Sequence, residues 1–201
     1  MPDRNGAGVR AEGHNLTIVN SHFIDNENGI LAANIASGTI RILDSEFRGN
    51  GKCAPKCAHG IYVGSIGVLD IERSRFLGQH EGHHVKSRAL RTVLIGNDIA
   101  DGPTGNSSYL VDVPNGGDLV VQNNTMEKGP HSENADTTIS IGAEGVKNAT
   151  HELIIRGNSF NNDTGRPTIF VDNRTTSPAM LSGNEMHGVV APMVGPGTVS
   201  P

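Results

Sequence analysis

Apolar residues recur along this chain in pairs one residue apart, each pair followed by a small turn residue, a Ser or Asn, and then a large apolar residue. Seven segments fit that template: 16–23, 40–47, 69–76, 92–99, 119–126, 153–160 and 179–186. Alternation with a period of two predicts a strand, and the turn residues after it predict where the strand ends. The closing residues are Phe23, Phe47, Phe76, Ile99, Met126, Phe160 and Met186, separated by 24, 29, 23, 27, 34 and 26 residues. No helical periodicity fills the intervals, so helical repeat arrays are excluded. Coils of this size predict an all-β fold: a single-stranded, right-handed parallel β-helix of about seven coils, spanning residues 1–201 as one domain. The polar column Ser21, Ser45, Ser74, Asn97, Asn124, Asn158 and Asn184 should then stack at one corner as a side-chain ladder.

A second set of apolar triplets precedes the first in each coil, at 9–11, 30–32, 61–63, 85–87, 111–113, 139–141 and 169–171. With the outer residues of each triplet turned inward, the middle ones form an outward column: Arg10, Leu31, Tyr62, Lys86, Asp112, Ser140 and Phe170. The residues two before them include Gly60, His84 and Leu110, and those two after include Gly64, Arg88 and Gly142. Alternation would put these on the same outer face. Ionisable groups thus gather in the middle coils, with His59, Asn115 and Glu144 beside them. The small residues Gly60, Gly64 and Gly142 are expected to leave a shallow groove.

Composition narrows the chemistry. The 201 residues include 26 Gly, 10 Pro and no Trp, a poor mixture for helices. The 16 Lys and Arg against 21 Asp and Glu leave a net charge of −5, which argues against nucleic acid as a partner. No apolar run approaches the ~18 residues of a membrane-spanning segment. Cys53 and Cys57 read first as a loop-closing disulfide and next as free thiols; a metal site ranks last, as it does for the cluster His80, His83 and His84. No Ca²⁺ loop of the D-x-D-x-D-G kind is present, so no cofactor is expected and Ca²⁺ has only weak support. Met1-Pro2-Asp3-Arg4-Asn5-Gly6 carries no basic segment followed by an apolar one, so read literally the chain is not exported.

The outward cluster suits a carbohydrate partner, a polysaccharide or oligosaccharide with acidic sugars. An arginine such as Arg88 pairs with a uronate carboxylate. That pairing lowers the barrier to removing the neighbouring proton, and Lys86 or Tyr62 could take it if cationic neighbours lower its pKa. Loss of the 4-linked sugar then gives β-elimination; return of the proton gives epimerisation. His84 is a further proton-transfer candidate, and Asp112 would orient Lys86. Glycoside hydrolysis ranks lower, because only Asp112 is a central carboxylate. The competing reading is a carbohydrate-binding or surface-structural β-helix without chemistry, in which Lys86 and Asp112 are simply a cross-strand ion pair.

Asn5-Gly-Ala-Gly-Val-Arg10, His59-Gly-Ile-Tyr-Val63, Gly82-His-His-Val-Lys-Ser-Arg88, Ser108-Tyr-Leu-Val-Asp-Val-Pro-Asn-Gly-Gly117, Gly129-Pro-His-Ser-Glu-Asn134 and Gly142-Ala-Glu-Gly145 resemble bacterial right-handed parallel β-helix repeat proteins of the pectate-lyase-like superfold. That resemblance implies further N-terminal coils and an export signal, hence an N-terminally truncated piece of an extracellular or periplasmic protein. Lys86-Ser87 is similar, more distantly, to the Lys-Ser element of β-helix alginate and chondroitin lyases. There the Lys is base and an Arg one coil later is acid. The next coil here carries Asp112 and Pro114 at those places, so Arg88 takes the arginine's role. The expected site is therefore Lys86, Arg88, Tyr62, His84 and Asp112 for catalysis, with Arg10, His59, Asn115, His131, Ser140 and Glu144 binding substrate.

Overall fold

The computed structural model describes residues 6–53 and 56–201. Met1–Asn5, on which the reading of the N-terminus rests, and Ala54 and Pro55 of the cysteine loop lie outside them. The described chain is a parallel β-helix: no helix occurs, and three parallel sheets run along one axis. Sheet 1 holds Ala7–Ala11, Asn28–Ala32, Ile61–Val63, Val85–Ser87, Val111–Val113, Thr137–Ile141, Thr168–Asn173 and Val190–Val194. Sheet 2 runs from Asn15–Val19 to Gly197–Ser200 and carries the first half of the template. Sheet 3 runs from His22–Ile24 to Glu185–His187 and carries its closing apolar residues.

The turn between sheets 2 and 3 explains the template. The turn residues Asn20, Asp44, Arg73, Gly96, Asn123, Gly157 and Gly183 all have φ between 47° and 64°. Gly, Asn and Asp reach that left-handed region at low cost. Arg73 does so while tied to Asp44 at 2.8 Å and Glu72 at 2.7 Å. The next residue forms the ladder. Asn97 N–H donates to Asn124 Oδ1 at 2.8 Å, and Asn124 N–H to Asn158 Oδ1 at 2.9 Å. Ser74 N–H donates to Asn97 Oδ1, and Ser45 N–H to Ser74 Oγ, so serine serves the first coils. Inside, Phe47 stacks between Phe23 and Phe76, with centroids 4.6 and 4.7 Å away.

Sheet 1 keeps the expected register through six coils and departs in the seventh. Ser140 pairs with Asp172 and Ile141 with Asn173, so the triplet is Val171–Asp172–Asn173. Phe170, expected outward, is fully buried and stacks on Phe160 at 5.1 Å. Asn173 can take an inward place because its amide is satisfied: Nδ2 donates to Ser177 O and Pro196 O, and Oδ1 accepts from Thr175. The column two residues before the outward one is also interior. His84, Leu110 and Thr138 are buried, because the chain rounds a corner there and alternation stops. Gly60 belongs to that corner. A Cβ on it would lie 2.5 Å from His84 O, so its glycine lets coils stack rather than hollowing an outer groove. A Cβ on Gly64 would likewise meet Asn34 Oδ1, and Gly142 makes a left-handed turn at φ 80°.

Candidate functional site

The outward column of sheet 1 reads Arg10, Leu31, Tyr62, Lys86, Asp112, Ser140, Asp172 and Val194. Its middle is a floor of buried polar groups. Lys86 Nζ lies 3.0 Å from Asp112 Oδ2 and 2.8 Å from Glu144 Oε1. Arg88, just past the end of its strand, reaches back over Tyr62 and forward over Asn115. Its Nε donates to Tyr62 Oη at 3.0 Å, one terminal nitrogen donates to Asn115 Oδ1, and the other meets Glu144 Oε2 at 2.7 Å. Glu144 thus bridges both cations from a turn beside the column. Asp112 Oδ1 and Ser140 Oγ are buried with no hydrogen-bond partner.

One wall of the floor is an aromatic and imidazole stack three residues before the column. His59 stacks on His83 at 4.8 Å, and His83 on Tyr109 at 5.0 Å. Backbone N–H groups fix the tautomers. His83 N–H donates to His59 Nδ1 at 3.0 Å, and Tyr109 N–H donates to His83 Nδ1 at 3.1 Å. Each ring therefore carries its proton on Nε2, and the Nε2 of His83 lies 3.4 Å from Asp112 Oδ2. Asn28 extends the same ladder by accepting from His59 N–H. Burial first, then Lys86 and Arg88, pulls the His59 pKa down to about 3; burial and His59 lower that of His83. Both rings are neutral donors, and neither offers a free basic nitrogen.

Electrostatics reassign Lys86. Burial alone would favour the free amine, but Asp112 and Glu144 outweigh it and raise the lysine pKa. The ammonium is therefore held charged, contrary to the expected base. Burial favours protonating Glu144, yet hydrogen bonds from Lys86 and Arg88 bring its pKa down to about 2. Burial raises Asp112, opposed by Lys86. The two carboxylates share one ammonium with Asp112 beneath it, so they do not straddle the open space that a glycosidase pair requires.

His84 is placed elsewhere. It points into the solenoid, where its Nε2 lies 2.9 Å from Asp101 Oδ1, and both side chains are buried. Burial opposes ionisation of Asp101, but His84, Ser132 and Ser107 hold its pKa near 2. Arg10 sits in the outward column but pairs with Glu12, and Leu31 separates it from Tyr62. His131 is exposed on a loop, whereas His59, Asn115, Ser140 and Glu144 join the cluster. Cys53 and Cys57 form a disulfide. His80, His83 and His84 point apart, and among the described residues no three His, Cys, Asp or Glu converge as a metal would require.

Tyr109 and Lys56 escaped the reading of the sequence, and His83 enters it only within the cluster His80, His83 and His84. His59, His83 and Tyr109 each precede the outward residue by three, a spacing that a wider scan of the columns would have shown. Lys56 joins Asn28, Leu31, Cys57, Ala58, His59, Tyr62, Lys86 and Arg88 around a cavity of about 300 Å³. The ionisable groups in its wall are cationic, phenolic or imidazole, with no carboxylate. Comparison of the chain with family models, with curated proteins and with solved structures returns no match.

Proposed function

We propose that this face binds an acidic polysaccharide and moves the proton on the carbon that bears the uronate carboxylate, by β-elimination or C5-epimerisation. The observation that supports it is the cavity, whose wall carries Lys56, Lys86, Arg88 and Tyr62, while the Asp112 and Glu144 carboxylates that pair with Lys86 and Arg88 lie outside its lining. Its volume is at the low end of small-molecule sites, enough for a sugar unit of a chain lying along the solenoid. Lys86 and Arg88, both held protonated, neutralise the substrate carboxylate and the enolate charge that develops on it. Proton transfer falls to Tyr62, whose oxygen accepts a hydrogen bond from Arg88 Nε at 3.0 Å and faces the cavity. Acting as the base, Tyr62 Oη takes the C5 proton. In elimination the C4–O bond then breaks with its electron pair, C4=C5 forms and the leaving oxygen takes the proton from Tyr62; in epimerisation Tyr62 keeps that proton and water reprotonates C5 from the opposite face.

The competing reading, binding without chemistry, draws on the same pairing, because Lys86, Arg88, Asp112 and Glu144 neutralise one another. Alginate, pectate and glycosaminoglycans distinguish the two. Ultraviolet absorbance reports the unsaturated uronate of elimination, and exchange of the C5 proton with deuterated solvent reports epimerisation. Tyr62→Phe should lower either rate by ~10²–10⁴ while polymer is still retained. Retention by wild type with neither signal would leave a binding module, and no retention would refute the carbohydrate reading. The Cys53–Cys57 disulfide supports an oxidising, extracellular or periplasmic setting for this activity.

A further inference from the structure

We propose that the Glu144 side chain is a displaceable stand-in for the ligand's carboxylate, filling the seat between Lys86 and Arg88 until an acidic sugar replaces it. The inference rests on the uronate reading of this face and states how its specificity is set. Glu144 presents one oxygen to each cation, Oε1 to Lys86 at 2.8 Å and Oε2 to Arg88 at 2.7 Å, which is how a ligand carboxylate would bridge them. The cations are mostly buried, with 11% and 19% of their side chains exposed, whereas 47% of the Glu144 side chain is exposed. The seat belongs to the solenoid, and its occupant enters from the solvent side.

Removing that occupant leaves the seat assembled. Lys86 keeps Asp112 at 3.0 Å, and Arg88 keeps Tyr62 at 3.0 Å together with Asn115. The backbone carrying Glu144 is tied down separately. Glu144 N–H donates to Pro114 O at 2.9 Å, Gly145 N–H to Gly142 O at 3.1 Å and Lys147 N–H to Asn115 O at 2.9 Å. Exchange therefore needs only rotation of one half-exposed side chain, while the cavity on the other flank of Lys86 and Arg88 receives the sugar ring.

Charge supplies the selectivity. With Glu144 seated, the two cations and two carboxylates sum to zero; with Glu144 turned out, the seat carries one positive charge. A uronate restores neutrality, while a neutral sugar leaves two cations underpaired and does not displace Glu144. The seat thus rejects neutral sugars by competition from its own chain.

The test is titration of the full chain with free glucuronate and with glucose, followed by amide and arginine Nε–H NMR shifts, in wild type, Glu144→Gln and Glu144→Ala. The alanine variant is included because a glutamine amide oxygen still accepts from the cations. If Glu144 occupies the seat about nine-tenths of the time, both variants should bind glucuronate roughly tenfold more tightly, with the Arg88 Nε–H signal shifting. Adding Lys86→Gln should abolish that gain. Weaker or unchanged glucuronate binding in both variants, or a gain that survives Lys86→Gln, would overturn the proposal. Wild-type uptake of polymer without a gain in the variants sinks the displacement alone. A glucuronate gain without polymer uptake by any form keeps the seat and sinks the polysaccharide reading.

Discussion

Asn124→Ala offers a quantitative test of the corner ladder. Asn124 is 2% exposed and makes four side-chain bonds. Its Oδ1 accepts from Asn97 N–H at 2.8 Å and from Asn97 Nδ2 at 3.0 Å. Its Nδ2 donates to Leu94 O at 3.0 Å and to Asn158 Oδ1 at 2.9 Å. Asn158 Oδ1 still has the Asn124 backbone N–H as a donor after truncation. Asn97 fares worse: its N–H and one amide hydrogen lose their acceptor in a place water cannot easily reach. Each orphaned buried donor costs ~1–3 kcal/mol, so the expected loss is about 4 kcal/mol. Asn124→Ser should recover part of that loss, because Ser74 Oγ already accepts Ser45 N–H at 3.1 Å in an earlier coil. Asn184 accepts the equivalent bonds from Asn158 but is only half-buried. Water can replace it, and Asn184→Ala should cost about 1 kcal/mol. Urea unfolding followed by circular dichroism, with midpoints compared at a common slope, measures all three. Equal losses for Asn124→Ala and Asn184→Ala, or a loss below about 1 kcal/mol for Asn124→Ala, would refute the argument that the ladder's bonds are buried.

Two further outcomes follow from the interior. Phe47→Ala removes the middle ring of the Phe23–Phe47–Phe76 stack and should cost about 3–5 kcal/mol, with Phe47→Leu costing less; thermal and urea unfolding check the order. Lys128 is fully buried with Nζ donating to Ser108 O at 2.6 Å, and burial draws its pKa down to about 8. An unfolded lysine titrates near 10.4, so between about pH 8 and 10.4 the unfolded chain binds more protons and stability rises with pH. Lys128→Met should be the more stable form at pH 7, and its advantage should shrink by about 3 kcal/mol across that window. An unchanging difference between pH 7 and 10 would show that the buried lysine does not titrate there.

The register departure and the position of His84 show where strand alternation stops being informative. Alternation holds within a triplet such as Val85–Ser87, so the opposition of Tyr62, Lys86 and Asp112 was readable. It fails one residue earlier, where the backbone turns and His84 swings inward to Asp101. It also fails where polar satisfaction replaces hydrophobicity, as at Asn173, whose bonded amide lets Asp172 rather than Phe170 face outward. The tautomers of His59 and His83 depend on backbone donors one coil away and leave no trace in residue identity.

The sequence by itself determined the solenoid, two of its three strand columns and the ladder at its corner. Each coil repeats one local pattern, and stacking at ~4.8 Å sets like residue upon like. Only the tertiary structure decided that Glu144 meets Lys86 and Arg88. Glu144 lies 58 residues from Lys86 and 56 from Arg88, on a turn whose reach is not encoded in the strand repeat. Together with Asp112, its carboxylate raises the Lys86 pKa against the effect of burial and so favours the ammonium. A pattern read along the chain gives the side a residue faces; the protonation state of a side chain depends on every charge the folded coils bring near it.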